Sequence, residues 1–163
     1  MVARDVPGPG QESVWDYPRP PSVAQTGRHV VVELGGEVIA DTRRAWRLCE
    51  TSHPPVYYVP LEDVAAGVLR PSAGGSFCEW KGAASYWHVA AGAVSEPDAA
   101  WSYETPTAPF EAMAGAIAFY PARMDRCLVD DEVVRPQAGG FYGGWITDEV
   151  VGPFKGDPGT LHW

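Results

Sequence analysis

A chain of 163 residues fits a single domain and is long enough to bury a substantial core, since folds of this size hide well over half the surface of the unfolded chain. Its 21 acidic and 12 basic residues give a formal net charge of -9, with no basic run able to track a phosphate backbone, which argues against nucleic acid or an anionic membrane as the main partner. No apolar run approaches the ~18 residues of a membrane span and no basic start leads into an apolar core, so the expected compartment is the cytoplasm.

Seven Trp, seven Tyr and five Phe place much of the apolar area in large flat rings, while sixteen Pro and eighteen Gly punctuate the chain too often for long helices. The expected fold is all-β, mainly antiparallel, with short strands joined by turns. Residues 1–27, ending in "PRPPSVAQTG", show no periodicity and read as an extended arm that lays Trp15 and Tyr17 along the domain surface. "RHVVVELGGEVIAD", residues 28–41, is the clearest hairpin: two β-branched runs about a Gly35-Gly36 turn free to take positive φ. In "TRRAWRLCE" Trp46 and Leu48 alternate with Arg47, which favours a strand, and "PPVYYVP" is a second short strand bounded by proline. "LEDVAAGVL", residues 61–69, offers the one short helix, with Glu62 and Asp63 in its first turn. Further hairpins are expected at Lys81-Gly82 and, in "CLVDDEVVRP", at Asp130-Asp131. The Gly-rich, aromatic residues 136–163 read as an ordered strap, leaving residues 28–135 as the domain proper.

The chemistry concentrates in "SFCEWKGAASYWHV", residues 76–89. A two-residue loop at Lys81-Gly82 sets Ser76, Cys78 and Trp80 on one side with Ala83, Ser85 and Trp87, and Phe77 with Tyr86 on the other; a slip of one residue exchanges the faces. Lys81 is one of only two lysines beside ten arginines, and both, in "WKG" and "FKG" at Lys81 and Lys155, stand between an aromatic ring and a glycine. A compact ammonium fits where a guanidinium fork does not, although an exposed turn explains the same pattern. Cys78 is a candidate nucleophile if Lys81 or His88 lowers its pKa, and otherwise a buried thiol. Cys49 and Cys127 read as small buried hydrophobes. Three cysteines without a CxxC pair support neither a disulfide framework nor a zinc site, and His53 and His88 lack ligand spacing, so no metal is expected. Glu50, before "TSHPP", either points into a cleft or ends a strand in solvent.

The succession "VVVELGGEVIADTRRAWRLCETSHPPVYYVPLEDV", "FCEWKGAASYW", "AWSYETP" and "GAIAFYP" resembles the DUF427 family, a bacterial domain of unknown function that also carries a nucleotidyltransferase label. The resemblance covers residues 28–125, with "VWDYPRPP" and the closing residues similar to an extended form. It implies a β-tent-like arrangement, two small sheets meeting at an angle. It carries over Glu50, Tyr57, Tyr58, Cys78, Lys81, Gly82, Tyr86, Trp101, Tyr103 and Tyr120 as matching positions. Nucleotidyl transfer requires Mg²⁺ on clustered carboxylates and a feature that holds the triphosphate; Gly35-Gly36 is instead a hairpin turn and Asp130, Asp131 and Glu132 a polar one.

Two functional readings follow. In the first, an aromatic pocket for a small molecule is walled by Tyr57, Tyr58, Tyr86, Trp87, Trp101, Tyr103 and Tyr120 around a Glu50–Lys81 pair. An enzymatic version makes Glu50 the acid or base, Lys81 the stabiliser of negative charge and Cys78 the nucleophile. In the second, the arms "VWDYPRP" and "FYGGWITD" meet another chain or a second copy without catalysis. The residues identify neither the ligand nor a cofactor.

Overall fold

The β-branched and aromatic runs form fifteen short strands among the residues that the computed structural model describes, 2–163; Met1, the first residue of the expected arm, lies outside them. They are β1 (Glu12–Ser13), β2 (Ser22–Gln25), β3 (Val30–Leu34), β4 (Glu37–Thr42), β5 (Trp46–Cys49), β6 (Val56–Tyr58), β7 (Leu69–Cys78), β8 (Gly82–Ala91), β9 (Val94–Ser102), β10 (Ile117–Phe119), β11 (Arg126–Val129), β12 (Glu132–Val133), β13 (Arg135–Pro136), β14 (Trp145–Ile146) and β15 (Val150–Val151). Apart from the parallel pair β1–β15, the pairings are antiparallel. The helix expected over residues 61–69 is a single 3-10 turn, Leu61–Asp63, because the chain re-extends at Val64 and Gly67 then takes a φ of 82°. No helix among the described residues is long and apolar enough to cross a membrane.

Three sheets position everything else. One runs β12-β11-β3-β4, a second β10-β9-β8-β7 and a third β2-β5-β6. Reciprocal backbone hydrogen bonds of 2.7 and 2.8 Å between Val59 and Ile117 tie the last two together. The hairpin at Gly35-Gly36 forms as the sequence dictates, both glycines at positive φ; a side chain at Gly35 would overlap the Ala91 carbonyl, so the β3–β4 turn packs against the β8–β9 turn. Asp130 and Asp131, at φ 47° and 69°, turn β11 into β12, and Asp130 Oδ1 accepts the His29 N–H at 2.8 Å.

The hairpin at residue 81 differs in register from the two-residue loop. Cys78 pairs with Gly82 and Ser76 with Ala84, leaving Glu79, Trp80 and Lys81 as a three-residue loop. Since side chains alternate with period two, this odd slip exchanges the faces of β8. Tyr86 therefore joins Ser76 and Cys78, its hydroxyl donating to Ser76 Oγ at 3.1 Å, while Phe77 is left outside, 76% exposed.

The second sheet is buried on both faces along β10 and the end of β9, whereas β7 is largely exposed. One face packs Val89, Ala100, Ile117 and Phe119 against Val30, Val32 and Leu34 of the first sheet, with Tyr57 and Trp145 in the same core. The other presents Ala84, Trp101, Tyr103 and Ala118, which meet Leu48 and Tyr58 of the third sheet and Phe110 and Met113 of the 3-10 segment Ala108–Met113. At about 25 cal/mol per Å² of apolar surface, a buried Tyr or Trp is among the largest single contributions to such a core. This second, ring-rich cluster floors the candidate site.

Candidate functional site

A cavity of about 460 Å³ opens over the second cluster. β5 and the loop after it supply Leu48, Glu50 and His53, β6 supplies Tyr58, and β7 and its hairpin loop supply Ser76, Cys78, Trp80 and Lys81. β8 adds Tyr86, β9 adds Trp101 with Tyr103 just beyond it, and Tyr120 follows β10. Gln137, Phe141, Tyr142, Gly143 and Lys155 close the remaining side.

Of the ten residues singled out from sequence, the fold brings together Glu50, Cys78, Lys81, Tyr58, Tyr86, Trp101, Tyr103 and Tyr120 on this cavity, and leaves out Tyr57 and Trp87. Strand pleating is the reason. Tyr57 and Tyr58 are neighbours on β6, as Tyr86 and Trp87 are on β8, and neighbours on a strand point to opposite faces. Tyr57 sits in the first core, and Trp87 packs against it with its indole N–H donating to Ser102 Oγ at 2.9 Å.

The rings lock one another. Trp101 Nε1 donates to the Tyr58 hydroxyl at 3.2 Å, Trp101 and Tyr120 meet at 4.6 Å between centroids, and Tyr120 donates to the Phe141 carbonyl at 3.0 Å. Burial pushes the phenols of Tyr58, Tyr103 and Tyr120 well above their ordinary range, so they remain donors at any working pH. A side chain at Gly143 would overlap the Trp101 ring and press on Tyr120 at 3.1 Å; only a glycine lets this loop lie on the indole.

The expected Glu50–Lys81 pair does not form. Glu50 Oε2 lies 3.5 Å from Arg19 Nε and 3.7 Å from His53 Nε2, whereas Lys81 Nζ stands 5.5 Å above the centre of the Tyr103 ring. Among the described residues no carboxylate comes within ion-pair distance of Lys81, although its side chain is folded inward and the residue is only 9% exposed. Lys155 Nζ is placed alike, 5.4 Å over the Tyr142 ring, and donates to the Trp163 main-chain oxygen at 3.2 Å.

His53, Gln137 and Tyr142 join the site without having been singled out for it. The Gly144 N–H donates to Gln137 Oε1 at 3.0 Å, which orients the amide so that Nε2 donates to the Lys155 carbonyl at 2.7 Å and to His53 Nδ1 at 3.2 Å. The neutral imidazole therefore carries its proton on Nε2, facing Glu50. Burial, with Lys155, Arg19 and Lys81 adding positive field, pushes the His53 pKa down to about 3. The sequence signals toward this side were Lys155, the second of two lysines, and the aromatic arm "FYGGWITD" that holds Tyr142.

The Cys78 thiol makes no hydrogen bond among the described residues, and His53 has its basic nitrogen occupied by Gln137, so no base is in contact with the one cysteine that reaches the cavity.

A family model described as a domain of unknown function, DUF427, matches residues 22–130. The chain belongs to the DUF427 family. No curated protein matches it. The DUF427 match contains Glu50, His53, Cys78, Lys81 and the Tyr58–Trp101 wall, whereas Gln137, Phe141, Tyr142 and Lys155 lie beyond its last residue, 130. In this DUF427 chain the cavity is thus completed by a segment outside the matched region.

Proposed function

We propose that this DUF427 chain binds a small molecule in the aromatic cavity, without catalysis by the side chains that line it. One observation carries the reading: residues from five strands, the loops that follow them and the C-terminal segment leave about 460 Å³ of space over the ring-rich cluster rather than filling it. Interiors are normally packed to crystal density, and recognition sites are typically about 300–1,000 Å³, mostly apolar, with a few fixed polar groups. Here those groups are Lys81, the His53 Nε2–H and the phenols of Tyr58, Tyr86 and Tyr103.

The test is a cavity-filling substitution. N-phenyl-1-naphthylamine, an uncharged dye that brightens in apolar surroundings, should bind the wild-type chain and quench Trp80 and Trp101, which line the space. Cys78→Trp, which places an indole inside the cavity wall, should abolish dye binding while the melting temperature stays within roughly 4 °C of wild type, since the added ring occupies empty volume. Undiminished dye binding by a folded Cys78→Trp chain would locate the dye elsewhere and remove the support for this site.

A further inference from the structure

We infer that the ligand of this cavity is an anion: a carboxylate, sulfonate or phosphate carried on a flat apolar body, its charged group seated on the Lys81 ammonium. The inference rests on the cavity reading above and adds the chemical class of what the cavity takes.

The placement of positive charge carries it. The chain has ten arginines and two lysines; both lysines line this cavity and none of the arginines does. Lys81 and Lys155 are 74 positions apart in sequence (155 less 81) and approach the same space from a hairpin loop and from the closing segment. Lys81 is only 9% exposed as a residue, and its ammonium, open to the water of the cavity, meets no carboxylate or carbonyl among the described residues, so its charge has no fixed counterpart. Its one aromatic partner, Tyr103, compensates only in part.

The acidic groups on the cavity do not fill that role. Glu50 is engaged by Arg19 at 3.5 Å and faces the His53 Nε2–H at 3.7 Å, and Glu79 is exposed to water. His53 is neutral, a donor with no positive charge of its own to repel or attract. A cationic ligand is disfavoured by the same geometry. The faces of Tyr103 and Tyr142, which would stack on it, already carry the lysine ammoniums at 5.5 and 5.4 Å. What remains unmet is a negative charge beside Lys81, with Tyr58, Trp101 and Tyr120 as the wall for an apolar body.

The experiment uses a matched pair of competitors on the full-length wild-type chain. With N-phenyl-1-naphthylamine as reporter, 1-naphthoate should displace it at a concentration roughly tenfold below that needed for 1-naphthamide, the size of one charge-assisted contact. In Lys81→Met that preference for the acid should disappear, and Lys81→Arg should restore part of it. Equal displacement by acid and amide on the wild-type chain overturns the inference while leaving the cavity reading intact, and requires no variant to fold. A preference that survives in Lys81→Met likewise overturns the assignment of the anion to Lys81. Failure of the reporter itself to bind the wild-type chain overturns the cavity reading, and this inference with it.

Discussion

The amide of Gln137 donates to His53 Nδ1 while the imidazole is only 12% exposed, and both conditions act against the imidazolium. Protonating Nδ1 would set two donors face to face in a space that already feels Lys155, Arg19 and Lys81. A His53 pKa near 3 against an ordinary 6.5 has a defined consequence for stability. Above pH 6.5 the ring is neutral in both folded and unfolded chains and the contribution is fully present. Below 6.5 the unfolded chain takes up a proton that the folded one refuses, so stability falls as pH drops toward 3. At about 1.4 kcal/mol per pH unit, acidification from pH 6.5 to 5 costs roughly 2 kcal/mol. Urea unfolding across that window should show this slope in wild type and its loss in His53→Asn, whose Oδ1 can accept the Gln137 hydrogen bond. Lowered carboxylates such as Glu12 and Asp63 act below this window and do not mimic it. Identical slopes in the two proteins would show that the ring titrates normally in the fold.

Elements divide into those whose ends are written locally and those fixed by a partner. Gly35-Gly36 and Asp130-Asp131 state their turns outright, because positive φ at two successive positions favours just these residues, and both hairpins form there. Lys81-Gly82 carries only one such residue, so the sequence leaves two- and three-residue loops open, and β8 takes the register that faces Tyr86 toward Ser76. The same limit explains the site. Rings and charges mark Glu50, Cys78, Lys81 and Trp101 directly, but which of two adjacent tyrosines turns toward the cavity depends on which face of β6 or β8 is covered by which sheet. Gln137 was invisible, and Tyr142 was marked only as part of an aromatic arm, because both reach the site through a return of the chain to β5 and β9 that no local periodicity encodes. That return depends on Gly143 lying flat on Trp101. Gly143→Ala should cost about 1–3 kcal/mol, the usual range for overpacking, and should perturb the near-UV circular dichroism of the Trp101–Tyr120 pair. An unchanged melting temperature and spectrum would mean that the loop moves aside freely and does not wall the cavity.

At the scale of the molecule, the segments before β2 and after β13 are clasped to each other, and the clasp carries Lys155 to the cavity. Glu12 pairs with Val150 in the parallel bridge β1–β15, the Trp15 indole donates to the Pro153 carbonyl at 2.9 Å, and the Asp5 N–H donates to the Gly152 carbonyl at 2.9 Å. Beneath these contacts Glu149 accepts from Arg28 Nε and Nη2 at 2.6–2.9 Å, and Arg47, itself bound to Glu12 at 2.8 Å, lies 3.9 Å away. One carboxylate thus separates two guanidiniums whose side chains are 31% and 12% exposed. Removing one partner of a fully buried ion pair costs about 3–5 kcal/mol, and with water reaching this one Glu149→Gln should cost about 1–3 kcal/mol. The loss should also be unevenly distributed. Arg28 and Arg47 would repel across the seam that holds β15, while the β3–β4–β11 sheet, anchored by its own valines, would keep its packing. Amide exchange in Glu149→Gln should therefore accelerate at Val150–Gly156 by a larger factor than at Val30–Leu34, and reporter binding in the cavity should weaken as Lys155 and the Gln137–His53 contact loosen with the segment. Uniform acceleration across both regions would show that the clasp and the core unfold as one unit, and that the closing segment has no independent hold on the site.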